Sequence, residues 1–181
     1  RIKFSIKYND EYINIPDPRT QYPYNHFADA YDNYIKSLNE TQPDHGELYD
    51  IRCERPATAL GTLSLVTVRD RGLNHELENC IAMMRDVEFV VYYRKPYGIS
   101  AEVKEGSFRY FVCGVFRTND GASPAGRNRG DVGLAFRLAE NQTHDSWNIN
   151  SLDDKRHKTY VRKAEREVDQ LVRDYFSAKN F

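Results

Sequence analysis

Aromatic and basic side chains crowd together in Phe89-Val90-Val91-Tyr92-Tyr93-Arg94 and again in Ser107-Phe108-Arg109-Tyr110-Phe111. Rings on neighbouring strands beside guanidinium groups suit stacking on a flipped or single-stranded base. Cross-strand aromatic packing favours the same residue types, so a structural explanation stands beside the functional one. A local excess of positive charge accompanies the rings. Residues 94–137 carry eight basic side chains, Arg94, Lys95, Lys104, Arg109, Arg117, Arg127, Arg129 and Arg137, against four acidic ones, a net of +4. Residues 1–50 carry five basic and nine acidic side chains, a net of −4. A positive segment steers a polyanion even on a nearly neutral chain, because the nearby field governs encounter. Uneven charge on an ordinary solvated surface gives the same count.

Other constellations are less specific. Residues 118–131 mix glycines with Arg127 and Arg129, a composition able to wrap anionic oxygens. They lack the GxxxxGK[ST] spacing, so no P-loop is present, and a long mobile surface loop is the expectation. The adhesion tripeptide Arg129-Gly130-Asp131 reads as chance. His75, Glu76, Glu78 and Cys80 offer no second ligand pair of the kind zinc needs, so no metal is called for. His144-Asp145-Ser146 is contiguous, whereas catalytic triads assemble from distant positions. Cys53, Cys80 and Cys113 form no CxxC pair and leave one over, which suits a reducing compartment or buried thiols. Asn39-Glu40-Thr41 and Asn141-Gln142-Thr143 would be glycosylation sites only on a secreted chain, so a cytoplasmic location is favoured.

The chain of 181 residues has a formal charge of −1, with 40% hydrophobic and 13% aromatic residues. Its thirteen tyrosines and nine phenylalanines need a packed interior, which excludes a disordered chain. The charge balance excludes a strongly basic nucleic-acid-binding domain. No apolar run approaches the roughly 18 residues of a membrane-spanning helix. The chain opens with Arg1 and no apolar leader, as a processed product or excised piece would.

The elements that must position these side chains follow from periodicity. Ile2, Phe4, Ile6 and Tyr8 alternate with polar residues, predicting a strand over Arg1–Tyr8. Pro16, Pro18 and Pro23 make an extended connection. Phe27, Ala28, Tyr31, Tyr34, Ile35 and Leu38 recur three and four apart, the stripe of a helix covering a sheet. Strands are predicted at Leu48–Cys53, Thr62–Arg69, Leu77–Asp86, Val87–Arg94 and Ser107–Arg117, with Asp70-Arg71-Gly72 as a turn and Gly133–Leu138 as a further short strand. Tyr160, Val161, Ala164, Val168, Leu171, Val172 and Tyr175 predict a long helix over about 153–176, with Asp153 and Asp154 favourably placed at its start. The expected fold is a single α+β domain spanning 1–181. It has a mainly antiparallel mixed sheet of about six strands, one helix after the first strand and a long C-terminal helix.

The stretch Ile81-Ala82-Met83-Met84-Arg85-Asp86-Val87-Glu88-Phe89-Val90-Val91-Tyr92-Tyr93-Arg94-Lys95-Pro96 resembles the central strand pair of plant ribosome-inactivating proteins, the cereal members above all. There the order is leucine-alanine-isoleucine, aspartate-asparagine, then tyrosine-valine-valine-glycine-tyrosine-arginine. Tyr22-Pro23-Tyr24, leading into a helix with Phe27 and Ile35, is similar to the family's opening. Ser107–Phe111 resembles its following aromatic strand, so the likeness covers roughly residues 1–115. It implies a role in plant defence with ribosomal RNA or the ribosome as partner. No cofactor, no metal and no membrane are expected for the chain. The implied chemistry is N-glycosidic removal of one adenine. That base stacks between two tyrosines, while a glutamate and an arginine on a later helix stabilise the oxocarbenium sugar and the departing base.

Residue by residue, the first stacking position falls on Phe89 and the second on Leu138, within Phe136-Arg137-Leu138. The basic residues Arg94, Lys95, Arg109, Arg127, Arg129 and Arg137 are the candidates for RNA contact. The glutamate-alanine-alanine-arginine-phenylalanine helix has no counterpart, so no catalytic residue is assigned. Ala164-Glu165-Arg166-Glu167 comes nearest, with Glu165 and Arg166 adjacent instead of one turn apart. The resemblance therefore implies the family's sheet with a depleted catalytic apparatus. Two other function classes fit the composition: a non-enzymatic domain binding protein or RNA through the Arg94–Arg137 face, and a structural assembly protein, viral for instance, with a tyrosine-rich surface.

Overall fold

The computed structural model of the protein describes residues 5–8, 11–14, 17–39, 46–69, 76–85, 89–96, 103–105, 108–119 and 130–178, with the backbone alone at 5–8, 11–14, 89, 103–105 and 108. Strands β1 (Ser5–Tyr8) and β2 (Glu11–Asn14) pair antiparallel in a sheet of their own. Helix α1 (Tyr24–Leu38) follows a 3-10 turn at Pro18–Thr20. The main sheet is built from β3 (Glu47–Glu54), β4 (Ala57–Arg69), β5 (Ile81–Arg85), β6 (Phe89–Arg94), β7 (Val103–Glu105) and β8 (Phe108–Thr118). Helix α2 (Asp131–Ala139) and the long α3 (Lys155–Ala178) complete the described chain.

Five strands of the main sheet run in the order β3-β4-β8-β5-β6, and the short β7 pairs β8 off that path. All the pairings are antiparallel except β5 with β8, which run parallel. The fold is α+β, with a mixed, mainly antiparallel sheet and a long C-terminal helix.

Helices cover the sheet on both sides, and the strand sequences follow from that. Alternation still operates along β4. Leu63 and Leu65 belong to one core, and Val66 and Val68 to the other. Along β8, Val112 and Phe116 face the first core, while Phe111, Cys113 and Val115 face the second. A central strand buried on both faces therefore reads as a nearly unbroken apolar run. The second core is closed by Phe27 and Ala30 of α1. The first is closed by Val132, Ala135 and Phe136 of α2 and by Val161, Ala164, Val168 and Val172 of α3. Phe116 and Phe136 are fully buried with ring centroids 6.2 Å apart, each burial stabilising by about 2–3 kcal/mol. Gly114 sits where β4 and β5 crowd β8. A Cβ there would lie 2.6 Å from Leu65 Cδ2 and 2.8 Å from both Ile81 Cδ1 and the Ser64 carbonyl oxygen.

Several expectations change in detail. Gly133–Leu138 is not a strand but lies within α2, because Val132, Ala135, Phe136 and Ala139 recur at helical spacing and are all buried on one side. The expected strand Leu77–Asp86 narrows to Ile81–Arg85, with turn residues at 76–79. The opening strand pairs with β2 instead of joining the main sheet. The C-terminal helix begins at Lys155, where the Asp154 carboxylate accepts the Arg156 backbone N–H at 2.6 Å as an N-cap. Of the predicted loop over 118–131, Thr118 closes β8 and Asp131 opens α2, and 120–129 lie outside the described residues, as does the turn at Asp70-Arg71-Gly72.

Candidate functional site

A polar cluster forms where β6, at one end of the strand order, meets α3. Tyr92 and Arg94 come from β6, and Glu165 and Asp169 from α3. Glu165 and Asp169 are four residues apart, so the helix presents both carboxylates to one side, flanking its buried stripe. The register of β6 slips against β5 between Met83 and Met84, which leaves Val91 unpaired. Such a bulge re-aims the residues that follow it. Val91 and Tyr92 consequently both contribute to the core under α2 and α3, while Val90 and Tyr93 pack toward α1.

Arg94 binds Asp169 with both arms of its fork: Nε donates to Oδ1 at 2.8 Å and a terminal nitrogen donates to Oδ2 at 2.8 Å. Its other terminal nitrogen lies 3.4 Å from Glu165 Oε1. The Tyr92 hydroxyl donates to that same oxygen at 2.7 Å. Hydrogen bonding to Asp169 raises the Arg94 pKa further, so the guanidinium stays charged. Burial, followed by the charge of Glu165, pushes the Tyr92 phenol well above its ordinary range, so it remains a proton donor. The Tyr92 ring stands edge-on to Trp147 with centroids 5.4 Å apart. Trp147 in turn packs on Phe136 at 4.6 Å and Phe116 at 6.3 Å.

A second ion pair lies on the same side of the sheet. Arg85, at the end of β5, places Nε 2.6 Å from Oε2 of Glu140, whose side chain is only 3% exposed. The other Glu140 oxygen meets Nδ1 of His144. His144 takes the left-handed conformation at φ 54°, within a turn where Asn141 and Asp145 exchange hydrogen bonds. Glu140 pairs across an isolated bridge with Trp147, so α2 and its C-terminal turn hold the indole in place. The trio His144-Asp145-Ser146 is thus a turn, not a triad.

The sequence candidates scatter across this frame. The Phe89 backbone pairs with Arg85, and its side chain lies outside the described residues. Leu138 is in the last turn of α2, 51% exposed, and carries no ring to stack. Arg94 is engaged with two carboxylates, so its guanidinium is a bridge between β6 and α3. Lys95 is exposed just beyond β6, and Arg109 and Arg137 are half-buried on β8 and α2. Arg127 and Arg129 lie outside the described residues, as does His75. Of the described members of the predicted basic face, Arg94 is taken up by Asp169 and Glu165, and the others stand on or beside three separate elements, β6, β8 and α2. Of the residues that do assemble, Tyr92 stood in the aromatic run and Glu165 in the nearest counterpart of the catalytic helix, neither as a site candidate, and Asp169 was not singled out. The signal for them was a pair of acids four apart on the margin of the α3 apolar stripe.

Among the described residues, no group of three or more His, Cys, Asp or Glu could hold a metal ion, and no helix is long and apolar enough to cross a membrane. Cys53, Cys80 and Cys113 are buried free thiols. Burial raises the Cys80 pKa to about 11 and that of Cys113 further, which makes both poor nucleophiles. Comparison of the chain with family models, curated proteins and solved structures finds no match.

Proposed function

We propose that the chain is a ribosome-inactivating-protein-like domain directed at adenine in large ribosomal RNA, with a reduced N-glycosidase capacity. What supports the reading is the cluster at the β6–α3 junction. The strand pair carrying the family resemblance supplies an aromatic ring and a guanidinium, and the following long helix supplies a carboxylate to both.

Hydrolytic removal of adenine breaks the C1′–N9 bond, puts the oxygen of a water molecule on C1′ and a proton on the departing purine, and on the way develops positive charge on the sugar and negative charge on the base. Glu165 would stabilise the first and Arg94 the second, each charge fixed in place before substrate arrives. The pairing of Glu165 with a guanidinium from β6 replaces the one-helix arrangement that the chain lacks. Asp169 holds the Arg94 fork in register, and the Tyr92 hydroxyl orients Glu165. Capacity is reduced because Leu138 offers no second stacking face, and a base held on one side only is held less firmly.

Incubation with intact ribosomes, followed by scission at abasic sites, tests the proposal. One discrete abasic site in the large ribosomal RNA is expected, formed about 10²–10³-fold more slowly by Glu165→Gln. An absence of depurination at high protein concentration sinks the enzymatic reading.

A further inference from the structure

The first half of α3 presents a cationic face. Residues 155–166 hold six basic side chains, Lys155, Arg156, Lys158, Arg162, Lys163 and Arg166, against one acid, Glu165. The helix sorts them. Arg156 pairs with Asp154 and Asp131, and Lys163 pairs with Glu167. Glu165 turns to Tyr92 and Arg94. Lys155, Lys158, Arg162 and Arg166 remain, and none makes an ion pair or side-chain hydrogen bond among the described residues. Spaced three, four and four apart, they fall within an arc of about 80° and a length of about 16 Å along the helix. The nearby acid Asp169 is neutralised by Arg94.

We propose that Lys155, Lys158, Arg162 and Arg166 form a docking strip for the phosphate backbone of RNA. A straight row of cations one turn apart matches a regular line of phosphates, and it reads charge without reading bases. A lipid surface suits it less well. An interfacial helix needs an apolar face to insert, and the apolar stripe of α3 is sealed in the core at Val161, Ala164, Val168 and Val172. The strip stands independently of any glycosidase activity, since a purely RNA-binding domain would use it in the same way.

Fluorescence anisotropy with a labelled single-stranded RNA of about 20 nucleotides tests the strip in the full chain. With four phosphates engaged, affinity should fall about 50-fold between about 50 and about 200 mM KCl. Arg162→Glu with Arg166→Glu should weaken binding at least about tenfold and flatten the salt slope by about half. Lys155→Glu with Lys158→Glu should do the same from the other end. All four positions lie at the helix surface, and unchanged circular dichroism and melting temperature confirm that each variant is folded. The proposal is overturned by wild-type binding that neither pair of reversals alters, or by no binding at about 50 mM KCl with about 100 μM protein. It also fails if phosphatidylserine vesicles, and not RNA, capture the protein through these residues. Charge-reversible RNA binding without any depurination would uphold the strip and remove the enzymatic reading alone.

Discussion

The Tyr92 phenol links the chemistry of the cluster to the stability of the fold. An unfolded chain releases that proton from about pH 10, whereas the folded protein, with the ring buried beside the Glu165 carboxylate, holds it to a higher pH. A raised pKa contributes its stability fully below the unfolded value and loses it as pH climbs toward the folded one. At pH 8, Tyr92→Phe should cost about 1 kcal/mol, the usual worth of one hydrogen bond. Above about pH 10 the wild type alone carries this proton release, so its stability should fall faster by about 1.4 kcal/mol per pH unit and the gap should close. The raised phenols of Tyr49 and Tyr93 are present in both proteins and cancel in the difference. Urea titrations from pH 8 to 11 follow it, and a constant gap across that range would show that the hydroxyl is not held as described.

At the scale of elements, legibility tracked how many periods a segment offers. The α3 stripe, seven positions from Tyr160 to Tyr175, could be read only as a helix, and its expected bounds differ from Lys155–Ala178 by two residues at each end. Six residues from Gly133 to Leu138 offer fewer than two helical turns, and a short apolar run of that kind fits a strand equally well. The choice was decided from outside, by the buried side of α2 against Phe116 and Trp147. Two substitutions separate the alternatives. Phe136→Ala should cost about 3–5 kcal/mol, because the ring is fully buried. Leu138→Ala, two residues on, should stay within about 0.5 kcal/mol. Comparable losses at both positions in a denaturant series would mean that Leu138 is buried and the helix assignment wrong. The candidate site was legible in half. The strand residues Tyr92 and Arg94 announced themselves as an aromatic–basic run, but their partners sit more than seventy residues away on a helix with seven basic and four acidic side chains. Asp169 lies on the same arc as Lys158 and Arg162, and only its pairing with Arg94 across the sheet edge sets it apart from them.

At the scale of the whole molecule, the double-sided burial of the sheet sets a hierarchy of local stability. Strand β8 is flanked by β4 over nine registered positions and by β5 on its other side, and both of its faces are covered. Neither β3 nor β6 has such support, since each ends the ordered path with a single neighbour. The sequence already hinted at the difference: Phe111 to Phe116 is apolar throughout apart from Gly114, whereas Glu47–Glu54 alternates and leaves Asp50, Arg52 and Glu54 exposed. Opening β8 requires dismantling both cores, while an edge strand can lift away against one partner. Backbone amides of β8 and the facing part of β4 should therefore exchange with solvent only through global unfolding, and those of β3 and β6 through smaller openings. In β6 the Arg94 fork on Asp169 should slow that fraying, so Asp169→Asn ought to accelerate exchange across Phe89–Arg94 while leaving β8 unchanged. Hydrogen exchange followed by mass spectrometry resolves both statements. Equal protection in β3 and β8 would contradict the hierarchy, and an Asp169→Asn effect spread evenly over the sheet would show that the ion pair supports the whole fold and not the edge.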